Sequence, residues 1–175
     1  MITGGGYLVM QSSGGTIGGD PGTNNNFGFN VKYNKSGSNL QGNINTIVRR
    51  KENGIQRVYQ IKGNQMSSMA VYQWVNNGWV SGCTGATSSS PCKAQFNGKA
   101  NIQDITNPQS PISVSGSGGS ALQFTMTDKG EPGSSDTIGI TLWNGSGGIW
   151  FSTNWVGSPP ATAEQLLNGG NLVVH

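Results

Sequence analysis

Three of the chain's seven acidic residues, Asp128, Glu131 and Asp136, lie in one stretch, Asp128-Lys129-Gly130-Glu131-Pro132-Gly133-Ser134-Ser135-Asp136. Carboxylates gathered on one turn suit a hard cation, since Ca²⁺ takes roughly six to eight oxygens and mixes carboxylates with backbone carbonyls and water. The spacing is not that of an EF-hand loop. The competing assignment is structural: Asp128 fixes the turn through an Asx-type bond, Glu131 is solvated, and Asp136 pairs with a nearby cation.

Other chemistry has little to work with. Hydrolysis by paired carboxylates needs two acids about 5–10 Å apart across a cleft, whereas these three share one turn. A glycoside hydrolase acting through Glu131 is therefore not expected. A Ser–His–acid triad or a Cys–His pair would require the single histidine, His175, in the last position. No glycine-rich phosphate loop joins a strand to a helix. The expectation is a protein that is not an enzyme.

The two cysteines, Cys83 and Cys92, flank Thr-Gly-Ala-Thr-Ser-Ser-Ser-Pro. A disulfide there would close a short flexible loop. The alternative, zinc, ordinarily wants four Cys or His ligands. A disulfide points to an oxidising compartment. Five tryptophans raise a further possibility, because aromatic faces beside Asn and Gln amides can hold sugar rings. Trp79 and Trp155 stand next to turns and are the candidate exposed pair for polysaccharide; Trp74 and Trp150 are expected to pack.

These residues need elements to carry them. Glycine makes up 29 of 175 positions, and only 10% of residues are charged, with a net charge of +3. Apolar residues recur at every second position in many short runs, the period of a half-buried strand. The clearest run is Phe27-Gly28-Phe29-Asn30-Val31-Lys32-Tyr33. Further runs cover Leu40–Val48, Val58–Ile61, Ser68–Val75 and Lys93–Ile102, with turn signals at Asn53-Gly54 and Asn76-Asn77-Gly78.

Leu122–Thr127 and Thr137–Trp143 flank the acidic turn as an antiparallel hairpin. Gly148–Ser152 and Asn171–His175 supply later strands, and residues 107–120 read as a flexible connection. The sequence predicts one all-β domain over 1–175, an antiparallel β-sandwich or partly closed barrel. Residues 1–26 read as a loosely ordered edge or lead segment, with a short strand at Tyr7–Met10. At most one short C-terminal helix is expected, where Thr162-Ala163-Glu164-Gln165 carries a capping-box pattern and Gly169 a stop.

The only basic run, Arg49-Arg50-Lys51, reads as a solvated strand end, so nucleic acid is not an expected partner. No membrane span is expected. Met1 leads straight into Ile2-Thr3-Gly4-Gly5-Gly6 without a signal peptide, as in a cytoplasmic protein or an excised piece of a larger exported one, and the cysteine pair and low charge favour the excised piece.

Several segments together resemble a domain found near the C-termini of large secreted bacterial proteins, often after immunoglobulin-like or other β-sandwich repeats. They are Ile2–Gly6, Asn26–Tyr33, Phe124–Asp128 running into Gly130-Glu131-Pro132-Gly133 and Asp136, Ile138–Trp143, and Gly169–His175. The cysteine loop lies outside that pattern. The resemblance implies a non-catalytic module of a secreted or cell-surface multidomain protein, and it implies no ligand. The expected role is structural or adhesive, with calcium as a stabiliser and with other domains of the polypeptide or neighbouring copies as partners. A carbohydrate-binding module is the alternative.

Overall fold

The computed structural model describes residues 1–116 and 118–175. In chain order its strands are β1 (Ile2–Val9), β2 (Asn24–Tyr33), β3 (Leu40–Glu52), β4 (Ile55–Val75), β5 (Gly78–Ser81), β6 (Cys92–Asp104) and β7 (Ile112–Ser113). They continue as β8 (Ser120–Asp128), β9 (Thr137–Trp143), β10 (Ile149–Ser152), β11 (Trp155–Val156), β12 (Ala161–Thr162), β13 (Gln165–Leu166) and β14 (Gly169–Val174). Twelve of them form one antiparallel sheet along the path β10-β9-β8-β6-β4-β3-β2-β1-β14, with β5 on β4, β7 on β6 and β13 on β9. β11 and β12 pair separately. The large sheet curls into a half-barrel, which brings β14 against β8 and β6. Among the described residues no helix is long and apolar enough to cross a membrane.

The alternating runs explain the core. Phe27, Phe29 and Val31 of β2 are buried, as are Ile44 and Val48 of β3 and Ile61 of β4. Phe96 and Phe124, opposite one another on β6 and β8, stack with ring centroids 4.7 Å apart, and Phe29 meets each at 5.4 Å. Burying one such ring contributes about 1.5–3 kcal/mol. Tyr33, on the same face as Phe29 but beyond the core, is exposed.

Three expectations change. The runs at Val58–Ile61 and Ser68–Val75 belong to one strand, β4, with irregularities between Lys62 and Gln65 and between Met66 and Ser68. The polar stretch between the runs is absorbed by these bulges while pairing with β6 continues. β1 is paired on both sides, by β2 and β14, and begins five residues before the expected strand. Its glycines lower strand propensity, yet contact requires them: a β-carbon on Gly6 would stand 2.1 Å from the Gly169 carbonyl oxygen. Of the expected connection at 107–120, Ile112–Ser113 pairs with β6, and Ser117 lies outside the described residues.

The expected C-terminal helix does not form. Its capping residues lie in β12 and β13. Thr162 Oγ1 accepts from Thr141 Oγ1 at 2.6 Å and shares a hydrogen bond with Ser152 Oγ at 2.7 Å. Gln165 Nε2 donates to the Val9 carbonyl at 2.7 Å. Tertiary partners thus take both side chains that a capping box needs. The segment lies over the outer face of β9 at Gly139 and Thr141, which is why β9 is buried on both faces. Thr162→Val keeps the shape but leaves the buried Thr141 and Ser152 hydroxyls short of a partner. It should cost about 1–3 kcal/mol in urea unfolding, with far-UV circular dichroism showing no helical component before or after.

Candidate functional site

The acidic turn connects β8 to β9, as the sequence predicts, and it grips the last strand. Along β14, alternate amides bond to β1, and those of Leu172 and Val174 face the other way. There the Leu172 amide donates to Asp136 Oδ2 at 3.0 Å and the Val174 amide to Asp128 Oδ2 at 2.9 Å. The remaining oxygens hold the turn: Lys129 N donates to Asp136 Oδ1 at 2.9 Å and Gly130 N to Asp128 Oδ1 at 2.8 Å. Asn171 Nδ2 donates to both oxygens of Glu131, each at 2.9 Å. The Asx-type bond expected of Asp128 is present. Asp136 takes backbone amides where the structural assignment placed a cation, and Glu131 is exposed but tied to Asn171.

Asp128 and Asp136 are both buried. Their bonds are charge-assisted, roughly twice as strong as neutral ones. Gly133, with φ of +78°, is required: a β-carbon there would lie 2.2 Å from Asn171 Oδ1. Burial, reinforced by the Asp128 and Glu131 carboxylates, raises the Asp136 carboxyl above its ordinary range, and its two amide bonds offset only part of that. Among the described residues no three His, Cys, Asp or Glu side chains form a metal-holding group.

Beside this clasp lies the cysteine loop. Cys83 and Cys92 are joined, with 5.9 Å between their α-carbons, and Cys83 Sγ lies 3.1 Å from the Val174 carbonyl oxygen. Gln73, buried on β4, organises the loop. Its Nε2 donates to the Gly85 carbonyl at 2.7 Å and to Ser90 Oγ at 3.1 Å, while its Oε1 accepts from Thr84 N and Oγ1 at 3.0 Å. Sequence reading passes over Gln73. The available signal was its parity, opposite to its exposed neighbour Tyr72 and to Trp74.

The tryptophan pair does not converge. Trp79 is 39% exposed, meets Trp74 edge-on at 5.3 Å between centroids, and carries Lys93 Nζ 4.4 Å above its ring. Trp155 belongs to the separate small sheet and packs against Gly14, where an added β-carbon would come within 2.6 Å of it. A more continuous surface lies elsewhere. On the outer face of β2, β3, β4 and β6 is an open groove of about 740 Å³, lined by Asn30, Asn43, Asn45, Gln60, Asn101 and Gln103 with Lys62 among them. Pairing sets this row: Gly28 lies opposite Asn45, Asn45 opposite Lys62, and Lys62 opposite Asn101. Gly28 leaves the floor open, with nothing within 4 Å of an added β-carbon.

Comparison with protein-family profiles, with curated proteins and with solved structures found no match to this chain.

Asp136→Asn offers one acceptor to two buried amides. It should cost about 1–3 kcal/mol, roughly 2–12 °C in midpoint for a domain of this size. The pH dependence has a defined sign. The Asp136 carboxyl is raised on folding, so the folded chain binds its proton more readily, and the penalty for the ionised form is relieved as pH falls through the raised pKa toward the unfolded value. Stability of the wild type relative to Asp136→Asn should therefore grow as pH is lowered from about 7 to about 4, measured by urea unfolding at each pH. Reduction of the Cys83–Cys92 bond, which spans nine positions, should lower stability by roughly 2–3 kcal/mol through the freed loop, read as a midpoint shift in dithiothreitol.

Proposed function

We propose that this chain is a non-catalytic structural and adhesive module of a secreted or cell-surface protein. One observation carries the reading: all seven carboxylates have structural partners. Asp128, Glu131 and Asp136 fasten β14. Asp20 accepts the Lys51 amide at 2.6 Å, and Glu164 accepts the Thr127 and Thr137 hydroxyls at 2.8 and 2.6 Å. Glu52 accepts the Tyr59 hydroxyl at 2.7 Å and pairs with Arg50 at 3.1 Å.

Asp104 completes the set, taking Thr106 N at 2.9 Å and Arg57 at 3.6 Å. Burial alone would raise the Asp104 carboxyl, but the Thr106 bonds and the Arg57 guanidinium outweigh it and hold it below its ordinary value. Acids committed in this way are poor candidates for moving protons in a reaction. The disulfide supports an oxidising location.

Partners in this reading are the other domains of the polypeptide, neighbouring copies, or an extracellular polysaccharide. Carbohydrate binding is the second reading, favoured by the amide-lined groove rather than by the separated Trp79 and Trp155. In this reading the acidic turn is held without calcium, because backbone amides already meet all four oxygens of Asp128 and Asp136.

Beads coated with the oxidised domain should be retained on bacterial biofilm matrix several-fold better than albumin-coated beads, and equal retention would overturn the adhesive role. Hydrolysis of nitrophenyl glycosides, abolished in Glu131→Gln, would overturn the non-catalytic reading. Thermal midpoints in millimolar Ca²⁺ and in EDTA should agree. A rise of roughly 5–10 °C, the size expected at a hundredfold excess over Kd, would make calcium an integral part of the turn.

A further inference from the structure

Charge is segregated across this fold. Residues paired across strands share a face, and the register places Lys32, Arg49, Lys51, Lys62 and Lys99 on the outer face of β2, β3, β4 and β6, opposite the buried Phe29, Ile44, Ile61 and Ile102. Among the described residues no carboxylate projects from that face. Glu52 and Asp104 have the inward parity at the ends of β3 and β6. Asp128, Glu131 and Asp136 are at the β14 clasp, Glu164 is beyond β8 and β9, and Asp20 is in the loop before β2, directed at the Lys51 amide. A chain of net charge +3 thus presents one sheet face whose charged groups are all cations, set among Asn and Gln amides, with Ile47 and Val58 between them.

We infer that the groove on this face binds a linear acidic polysaccharide, one that bears both hydroxyls and carboxylates. The inference rests on the adhesive reading and assigns its ligand class. Each amide offers donors and acceptors together, which suits hydroxyls that also do both. Among the described residues the only hydrogen bond between lining side chains runs from Gln60 Nε2 to Asn45 Oδ1 at 3.2 Å, so most of these amide groups remain open to a ligand. Lys62 stands between Asn45 and Asn101, and Lys99 lines the adjoining depression. Lys62 within the row and Lys99, two residues from Asn101 along β6, supply point charges for the acid groups of a repeating sugar.

The groove crosses four strands, about 14 Å at the usual strand spacing, enough for a few rings. It lacks the exposed aromatic platform on which single-stranded nucleic acids stack: Phe29, its one aromatic lining residue, is 6% exposed. Trp79 lies under Lys93 on the same outer face, roughly 26 Å along β6 from Asn101.

The test is electrophoresis of the oxidised domain through gels containing polygalacturonate, dextran or neither. Retardation is expected in polygalacturonate and not in dextran, and it should weaken with salt. Lys62→Ala/Lys99→Ala should reduce affinity about tenfold or more, and so should the charge-neutral Asn45→Ala/Asn101→Ala, as loss of one or two hydrogen-bonded groups implies. Lys129→Ala, on the β8–β9 turn, should change nothing. Thermal unfolding checks that each variant is folded.

Absence of retardation by polygalacturonate overturns the inference. So does retardation indifferent to the Asn45/Asn101 pair, which would reduce the effect to general charge. Equal retardation by dextran removes the acidic specificity, and equal or tighter binding of a single-stranded DNA oligomer replaces the glycan with nucleic acid. If coated beads still adhere to matrix while polygalacturonate fails to bind, the ligand class falls and the adhesive reading stands. If the beads fail as well, both fall.

Discussion

The outer edge of β14 is the constraint on which the arrangement turns. A strand with only one backbone neighbour leaves every second amide without a partner, and buried amides must have one. Here the sheet does not close by adding a strand. Two aspartates at either end of the β8–β9 connection reach the Leu172 and Val174 amides, and the half-barrel is latched by side chains. Everything around the latch serves it. The turn needs glycine at 133 to fit against Asn171, Glu131 holds the Asn171 side chain, and the disulfide loop rests on the Val174 carbonyl.

Much of this was legible in the sequence, and the limits have physical causes. Alternation exposed β2, β8 and β9 because each has one apolar face against a single core. The acidic turn stood out by composition, and its position on a hairpin was correct. What alternation could not reveal was the recipient of the carboxylates, since β14 is 36 residues from Asp136 along the chain and backbone amides leave no mark in a sequence. β1 was half hidden because glycines chosen for close contact with β14 weaken the strand signal. The Thr162–Gln165 pattern misled for the opposite reason: a local capping rule was satisfied, and distant hydroxyls on Thr141 and Ser152 overrode it.

The distribution of polar groups divides the molecule into two regimes. Where Asp, Glu and the buried Gln73 occur, each of these side chains bonds a neighbouring element and holds its turn. Across the outer face of β2 to β6, amides and lysines face solvent with few mutual bonds. Order in the first regime makes the second useful, because a row of side chains across four strands keeps its spacing only if those strands hold register. The glycine at 28 contributes by omission, leaving depth where any side chain would fill it.

The pairing of β1 with β14 also has a mechanical side. Ile2 lies opposite Val174, and the Met1 and His175 backbones bond to each other, so both ends of the chain leave from the same side of the sheet. Tension applied through those ends pulls the two strands apart sideways, and their hydrogen bonds break in succession rather than sharing the load as in shear. β14 is held on its far side as well, where Asp128 and Asp136 grip it independently of β1. A force that peels β1 away therefore meets a strand still anchored to the body, and the aspartates act as the stop that keeps the first yielding of the sheet from becoming its collapse.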